Sequence, residues 1–208
     1  VSGEDGMSVK GRLVPAKHGR EQMPLKGKGF DRMDDEVTYT ASMDGKIEMQ
    51  NDRIVVLPVH EVSGNAELAE GNIDFRGDIV IHGNVESGVN IRATGSITID
   101  GVAEACMLEA GKDIILRGGM LGGNKASVKT KGAITAKFFE FTNILCEGDL
   151  QADVLMDCSV ICHGQIRLTG RKGSIIGGKV QAIRGLIATS LGNDAEKRTE
   201  IFVGSGID

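Results

Sequence analysis

GNIDFRGDIVIHGNVESGVNIRATGSITID, residues 71–100, decides the fold. Ile73 and Phe75, Ile79 and Ile81, Val89 and Ile91, and Ile97 and Ile99 fall in pairs two positions apart, and glycine separates the pairs. Side chains two apart project to one face of a strand, so each pair reads as the inward side of a very short strand. Glycine between pairs admits the positive φ or tight bend at which the chain turns a corner.

The pattern continues outward from this stretch. Reference positions at Gly77, Gly95, Lys112, Gly132, Gly148, Gly164 and Arg184 are spaced by 18, 17, 20, 16, 16 and 20 residues. Two residues past each stand Ile79, Ile97, Ile114, Ile134, Leu150, Ile166 and Leu186, all aliphatic. Four past each stand Ile81, Ile99, Leu116, Ala136, Ala152, Leu168 and Ala188, again all apolar. On the approach side come Ile91, Leu108, Val128, Ile144, Val160 and Val180, and then Ala93, Ala110, Thr130, Cys146, Cys162 and Ala182, in which Thr130 alone is polar.

A unit of 16–20 residues is thus one coil of about three short strands. One coil cannot bury its own inward face, whereas stacking coil on coil turns these positions into continuous apolar columns. The fold class is all-β, a single-stranded parallel β-helix over residues 63–208 with a small β domain over residues 1–62. Periodicity alone leaves the handedness open. Amphipathic helical spacing is nearly absent, the best scraps being AELAEG at 66–71 and NDAEKR at 193–198.

Residues 1–62 lack the period. MSVKGRLVPA and DEVTYTASMDGKIEMQNDRIVVLPV show alternation with turn signals at AKHG, MDG and QND, which reads as an antiparallel or barrel-like unit. GKGFDRMDD, residues 27–35, reads as a charged connector placed to cover the first coil. RTEIFVG near the other end supplies one more strand, and because an uncapped solenoid edge is unusual, a natural continuation beyond it is expected.

Composition narrows the function classes. The 24 Lys plus Arg are outnumbered by 29 Asp plus Glu, giving a formal net charge of -5 with dispersed basic residues, so no nucleic-acid partner is expected. Aromatics at 3% with no Trp remove the stacking platforms used for single strands. The longest apolar run, IVVLPV at 54–59, falls far short of the ~20 residues that span a bilayer, so membrane insertion is not expected. Four Cys without a framework of close spacings suggest a reducing compartment.

Two coils are about four residues longer than their neighbours, around GGNK at 122–125 and GRKG at 170–173. A column tolerates extra residues only where they bulge outward at corners. Asn124, Lys125, Arg171 and Lys172 are therefore expected in exposed loops, as candidate contact residues for protein partners. Solvated corners without function are the competing reading.

GMSVKGRLVPAKHG, ASMDGKIEMQNDRIVVLPVHEVSGN, and GNIDFRGDIVIHGNVESGVNIRATGSITIDGVAEACMLEAGKDIILRGGMLGG, with KGSIIGGKVQA and RTEIFVG, together resemble the bacterial flagellar assembly protein A family. The resemblance runs through essentially the whole chain as a distributed pattern. It implies an N-terminal β domain, a right-handed β-helix and, in full-length members, a helical coiled-coil segment further on. It also implies a non-enzymatic cytoplasmic role in flagellar assembly or cell-pole organisation, exercised through protein partners such as flagellar or polar regulators, with no cofactor. Cys146 and Cys162 depart from the small residues usual at their positions.

Four decoys are set aside. GSIIGGKV, residues 173–180, matches G-x-x-x-x-G-K but lacks both the Ser or Thr after the Lys and the following helix that a phosphate cradle needs. Cys158, Cys162 and His163, with Cys146, suggest zinc, yet Cys146 and Cys162 fall in one column as small hydrophobes and His163 points outward. His18, His60, His82 and His163 are scattered, with no nucleophile and third orienting group beside any of them. Asp34 and Asp35 lie in a polar loop, where nothing raises a carboxyl pKa for acid work.

Three functions compete. The first is a scaffold or adaptor that displays solenoid faces and corner loops to other proteins. The second is a self-assembling homo-oligomer resembling bactofilins or the β-helical part of MinC-type division regulators. The third is a hexapeptide-repeat acyltransferase, whose strict six-residue steps fit poorly with these coil lengths.

Overall fold

The computed structural model describes residues 3–16, 25–35 and 37–204. The chain coils eight times, its rungs opening at Val59, Asp78, Ile97, Ile114, Ile134, Leu150, Ile166 and Leu186. These opening strands form an eight-stranded parallel sheet, the first face. Its register follows the sequence columns, Ile79 beside Ile97, Ile114, Ile134, Leu150, Ile166 and Leu186 in turn. The ladder begins at Val59, so it takes in four residues of the segment assigned to the N-terminal unit.

After a corner comes a narrow second face. It starts as single bridges at Ala66 and Val85 and widens into Ala103–Glu104 and the segments around Met120, Phe139, Leu155 and Ile175. The third face carries Ile91, Leu108, Val128, Ile144, Val160, Val180 and Ile201 in register. From rung 4 to rung 7 the second and third faces merge into unbroken strands, Met120–Thr130, Phe138–Cys146, Val154–Cys162 and Ser174–Ala182. A left-handed residue bends each of them at the corner: Asn124 (φ 62), Phe141 (φ 48), Asp157 (φ 50) and Gly177 (φ 71).

The lumen is dry and aliphatic. Ile79, Ile97, Ile114, Ile134, Leu150 and Ile166 from the first face meet Met120, Phe139, Leu155 and Ile175 from the second, all of them fully buried. Burying one such side chain stabilises by about 1.5–3 kcal/mol. Thr130, the polar member of its column, is satisfied: its hydroxyl donates to the Lys112 carbonyl and accepts the Gly132 N–H at 3.2 Å.

The reference-position glycines after Gly77 serve close approach rather than positive φ. Each reference position donates its N–H to the carbonyl of the one below, Gly95 to Gly77 (2.9 Å), Gly148 to Gly132 (2.9 Å) and Gly164 to Gly148 (3.1 Å). A Cβ on Gly164 would come within 2.3 Å of both the Gly148 oxygen and Asp149 Oδ1. Acidic side chains beside the glycines complete the corner. Asp78, Asp113 and Asp149 accept the N–H groups of Ser96 (2.7 Å), Ala133 (2.7 Å) and Gln165 (2.8 Å) on the rung above.

The N-terminal unit is a set of small pairings and not a barrel. Gly6–Met7 pairs antiparallel with Leu13–Val14, and Phe30–Arg32 with Tyr39–Ala41. Lys46–Gln50 and Arg53–Leu57 form a hairpin turned at Asn51 (φ 49) and Asp52 (φ 59), the doubly positive pair that matches strand twist. Residues 27–35 do not act as a connector over the first coil. Gly27–Lys28 runs parallel to Ile54–Val55, and Phe30–Arg32 enters its own hairpin. His18 and the turn expected at Lys17–Gly19 lie outside the described residues. Of the helical scraps, 66–71 forms a 3-10 turn at Leu68–Glu70, and 193–198 forms turn and irregular backbone. No helix among the described residues is long and apolar enough to cross a membrane.

Candidate functional site

Inward positions are alike on all three faces, so any recognition has to come from what points outward. On the first face the outward column is mixed: Val80, Thr98, Ile115, Thr135, Gln151 and Arg167. On the third face it starts as a closed charge ladder. Arg92 meets Glu109 at 3.0 Å and Asp74 at 3.8 Å, and Lys129 meets Glu109 at 3.9 Å. These charges answer one another and leave no surplus to attract a partner.

The second face differs. Strand alternation sends Phe139, Leu155 and Ile175 into the lumen, so the residues on either side of them must face out, and several are apolar. Phe138 stands above Gly119 in one outward column and is in register with Val154. Leu121, Glu140, Met156 and Ile176 form the other. Glycine at 119 has a reason: a Cβ there would meet the Phe138 ring at 2.5 Å. Leu121 is 41% exposed, and Phe138, Val154, Met156 and Ile176 are half-buried. Leu121, Phe138, Val154 and Met156 floor a trough of about 360 Å³ that Lys137, Lys172, Asp153 and Glu140 border, and Ile176 continues the outward apolar column beyond it.

Electrostatics give the trough a direction. Asp153 spends its carboxylate locally, accepting the N–H groups of Lys172 at 2.8 Å and Gly173 at 3.0 Å. Those two bonds, Gly173 first, hold its carboxyl below the usual range. The same bonds pin the loop that carries Lys172. Neither the Lys137 nor the Lys172 ammonium has a carboxylate within 4.0 Å among the described residues, and both stand on the corner shared with the first face.

Sequence reasoning nominated four residues on this structure. Arg171 and Lys172 are exposed in a loop between Leu168 and Ser174, on the corner entering the second face at rung 7. Asn124 and Lys125 are exposed too, but not in a loop: they form a bulge inside Met120–Thr130, where residues 122–125 stand opposite Phe141 alone. That corner leaves the second face at rung 4. The two insertions therefore flank opposite margins of one face, three rungs apart, and do not meet. The apolar floor between them was missed. Its signal was the runs FF at 138–139, VLM at 154–156 and II at 175–176, where apolar residues fill both sides of the strand instead of alternating.

The decoys take structural places. Residues 174–182 form a strand paired on both edges, and Lys179 Nζ lies 5.1 Å from the centre of the Phe202 ring. Cys146 and Cys162 are in-register neighbours, and both are buried. The Cys162 sulfur and burial push the Cys146 thiol well above its ordinary range. His163 faces outward, and among the described residues no three His, Cys, Asp or Glu side chains converge as a metal site would require.

The family model for the flagellar assembly protein A β-solenoid domain matches residues 58–208 and opens one residue ahead of the first rung at Val59. No curated protein and no solved structure matches the chain. The match covers well over half of the 208 residues and the whole of the described solenoid, so the chain belongs to the flagellar assembly protein A family.

Proposed function

We propose that this domain is a non-enzymatic scaffold or adaptor that holds a protein partner against the second face of the solenoid. The reading places it in the cytoplasm, in regulation of flagellar assembly or organisation of the cell pole. One observation carries it: Leu121, Phe138, Val154 and Met156 stay outward on a parallel stack, beside two lysines that have no carboxylate within 4.0 Å among the described residues. Exposed apolar groups rimmed by polar ones are the usual mark of a protein contact. Backbone pairing holds the segments that carry these residues on both edges, so a partner meets a preformed surface and little ordering cost is added on binding.

The test is affinity capture from lysate of a motile bacterium that carries the protein, with wild type and Met156→Glu as baits. Met156 faces out, so although the new carboxylate stands in register with Glu140 the variant is expected to stay folded and to melt a few degrees below wild type. A specific protein held by wild type and lost with Met156→Glu supports the reading, and Arg171→Ala/Lys172→Ala should weaken the same capture. If Met156→Glu retains every specific protein that wild type holds, the second face is not the contact and the reading fails.

A further inference from the structure

The trough's dimensions say what kind of segment fits it. The outward apolar residues come from four consecutive rungs: Leu121 on rung 4, Phe138 on rung 5, and Val154 and Met156 on rung 6 line the trough, and Ile176, in register with Met156, continues the floor onto rung 7. Neighbouring rungs in a parallel stack are about 4.8 Å apart, so the apolar floor offers a repeat of about 4.8 Å along the solenoid axis over about 14 Å. A helix advances about 4.5 Å from i to i+3 and about 6 Å from i to i+4, and alternating the two steps keeps one side chain near each rung. An extended segment advances about 6.7 Å between side chains of one face and falls out of step within two rungs. Nor does the floor offer a strand any hydrogen bonds, because each of these segments is already paired on both edges.

The rim adds a sign. Lys137 and Lys172 line the margin next to the first face with no carboxylate within 4.0 Å among the described residues, and Asp153, which also attracts Lys172, gives its oxygens first to backbone N–H groups. Glu140 lies in the opposite outward column, beside Leu121 and Met156.

We infer that the second-face trough receives a single amphipathic α-helix of a partner protein. The helix lies along the solenoid axis with its apolar stripe down and acidic side chains on the flank that faces Lys137 and Lys172. About ten residues, or three turns, cover the floor. This deepens the adaptor reading and rests on it. The class of partner is defined by pattern: apolar residues at i, i+3 or i+4, and i+7, with Asp or Glu on one shoulder.

Two displayed peptide libraries of about fourteen residues test it against the whole 208-residue chain, one with helical apolar spacing and one with strict alternation. Helical sequences enriched for acidic residues on one shoulder are expected. The best of them, made as a synthetic peptide, should lose about tenfold or more in affinity against Met156→Glu. Against Lys172→Glu it should lose several-fold, and that loss should shrink as salt rises. Enrichment of alternating sequences instead, still lost with Met156→Glu, overturns the helix and leaves the docking face standing. No Met156-dependent enrichment from either library overturns both. Helical enrichment without acidic bias, together with an unchanged affinity for Lys172→Glu, overturns the assigned orientation.

Discussion

Gly148 lies directly over Gly132. Its N–H donates to the Gly132 carbonyl at 2.9 Å, and a Cβ in its place would stand 2.6 Å from that same oxygen. Neither partner can yield without breaking the corner hydrogen bonds that run from Gly77 to Arg184. Gly148→Ala is expected to cost about 1–3 kcal/mol in thermal or denaturant unfolding. Gly64→Ala is the control, since a Cβ there meets nothing within 4 Å, and it should stay within about 0.5 kcal/mol of wild type. Equal stability of the two variants would show that rungs are spaced more loosely than the corner bonds indicate.

Facing decides the cost of trimming the isoleucines. Ile134 is fully buried in the first-face column, whereas Ile187 points outward and is 48% exposed. Ile134→Ala should lose about 2–5 kcal/mol through lost burial and the cavity left behind. Ile187→Ala should lie within about 0.5 kcal/mol of wild type. Reversed sensitivities would place the lumen on the wrong side of the sheet.

The thiols should be silent in the folded protein. Burial pushes Cys106 up to about 12 and Cys158 up to about 11, and Cys146 is raised as well. Only the thiolate reacts, and at pH 8 almost none is present at these three positions, whereas the Cys146 thiol lowers the Cys162 pKa and complete burial alone keeps reagent from that sulfur. Ellman's reagent is expected to detect no fast-reacting thiol in native protein and all four after denaturation. A fast native reaction at Cys146 or Cys162 would mean that the third-face column opens.

His82 ties three rungs together and makes their union depend on pH. Its Nε2 lies 2.6 Å from Glu61 on rung 1 and its Nδ1 lies 2.9 Å from Asp100 on rung 3, which also meets Arg117 at 3.3 Å. Glu61 first, then Asp100, raise its pKa above the ordinary 6.5. A raised folded value stabilises while the ring is charged. The contribution is therefore full below 6.5 and is lost as pH rises through the folded value, provided that the carboxylates stay ionised above about pH 4. The stability gap between wild type and His82→Gln should be widest near pH 5.5 and close in alkali. An NMR titration should place the His82 midpoint above 6.5. His60 works in the opposite sense, its pKa lowered by burial, so the difference between the two proteins isolates the His82 term. A gap that widens with rising pH would reverse the assignment.

The first and third faces were legible because an apolar residue recurs at nearly every inward position of the coils, while the residues between vary from Thr, Arg and Glu to Val and Ile. Every column read from residues 77–188 appears in the register of those two sheets, save that the column from Ile81 lacks the pairings Ala136 to Ala152 and Leu168 to Ala188. The first rung escaped because its opening strand, Val59–Val62, follows Pro58 and carries His60 where later rungs carry isoleucine or leucine. The second face was not legible at all. It begins as single bridges at Ala66 and Val85, too short to show a period, and where it lengthens its outward residues are apolar and erase the alternation. What makes this face a candidate for recognition is what hid it from pattern reading. The corner insertions were found by counting residues, but counting could not tell a loop at Arg171 from a bulge at Asn124. That distinction depends on whether Leu121 and Ala126 can both remain paired to the next rung, as they do.

The bulge at residues 122–125 absorbs surplus chain while Leu121 and Ala126 keep their partners. Corner length and rung register are thus specified by separate letters of the sequence. Such an architecture can lengthen, shorten or recolour its edges generation after generation while the stack beneath stays the same, as a printer's frame holds whatever type is set in it.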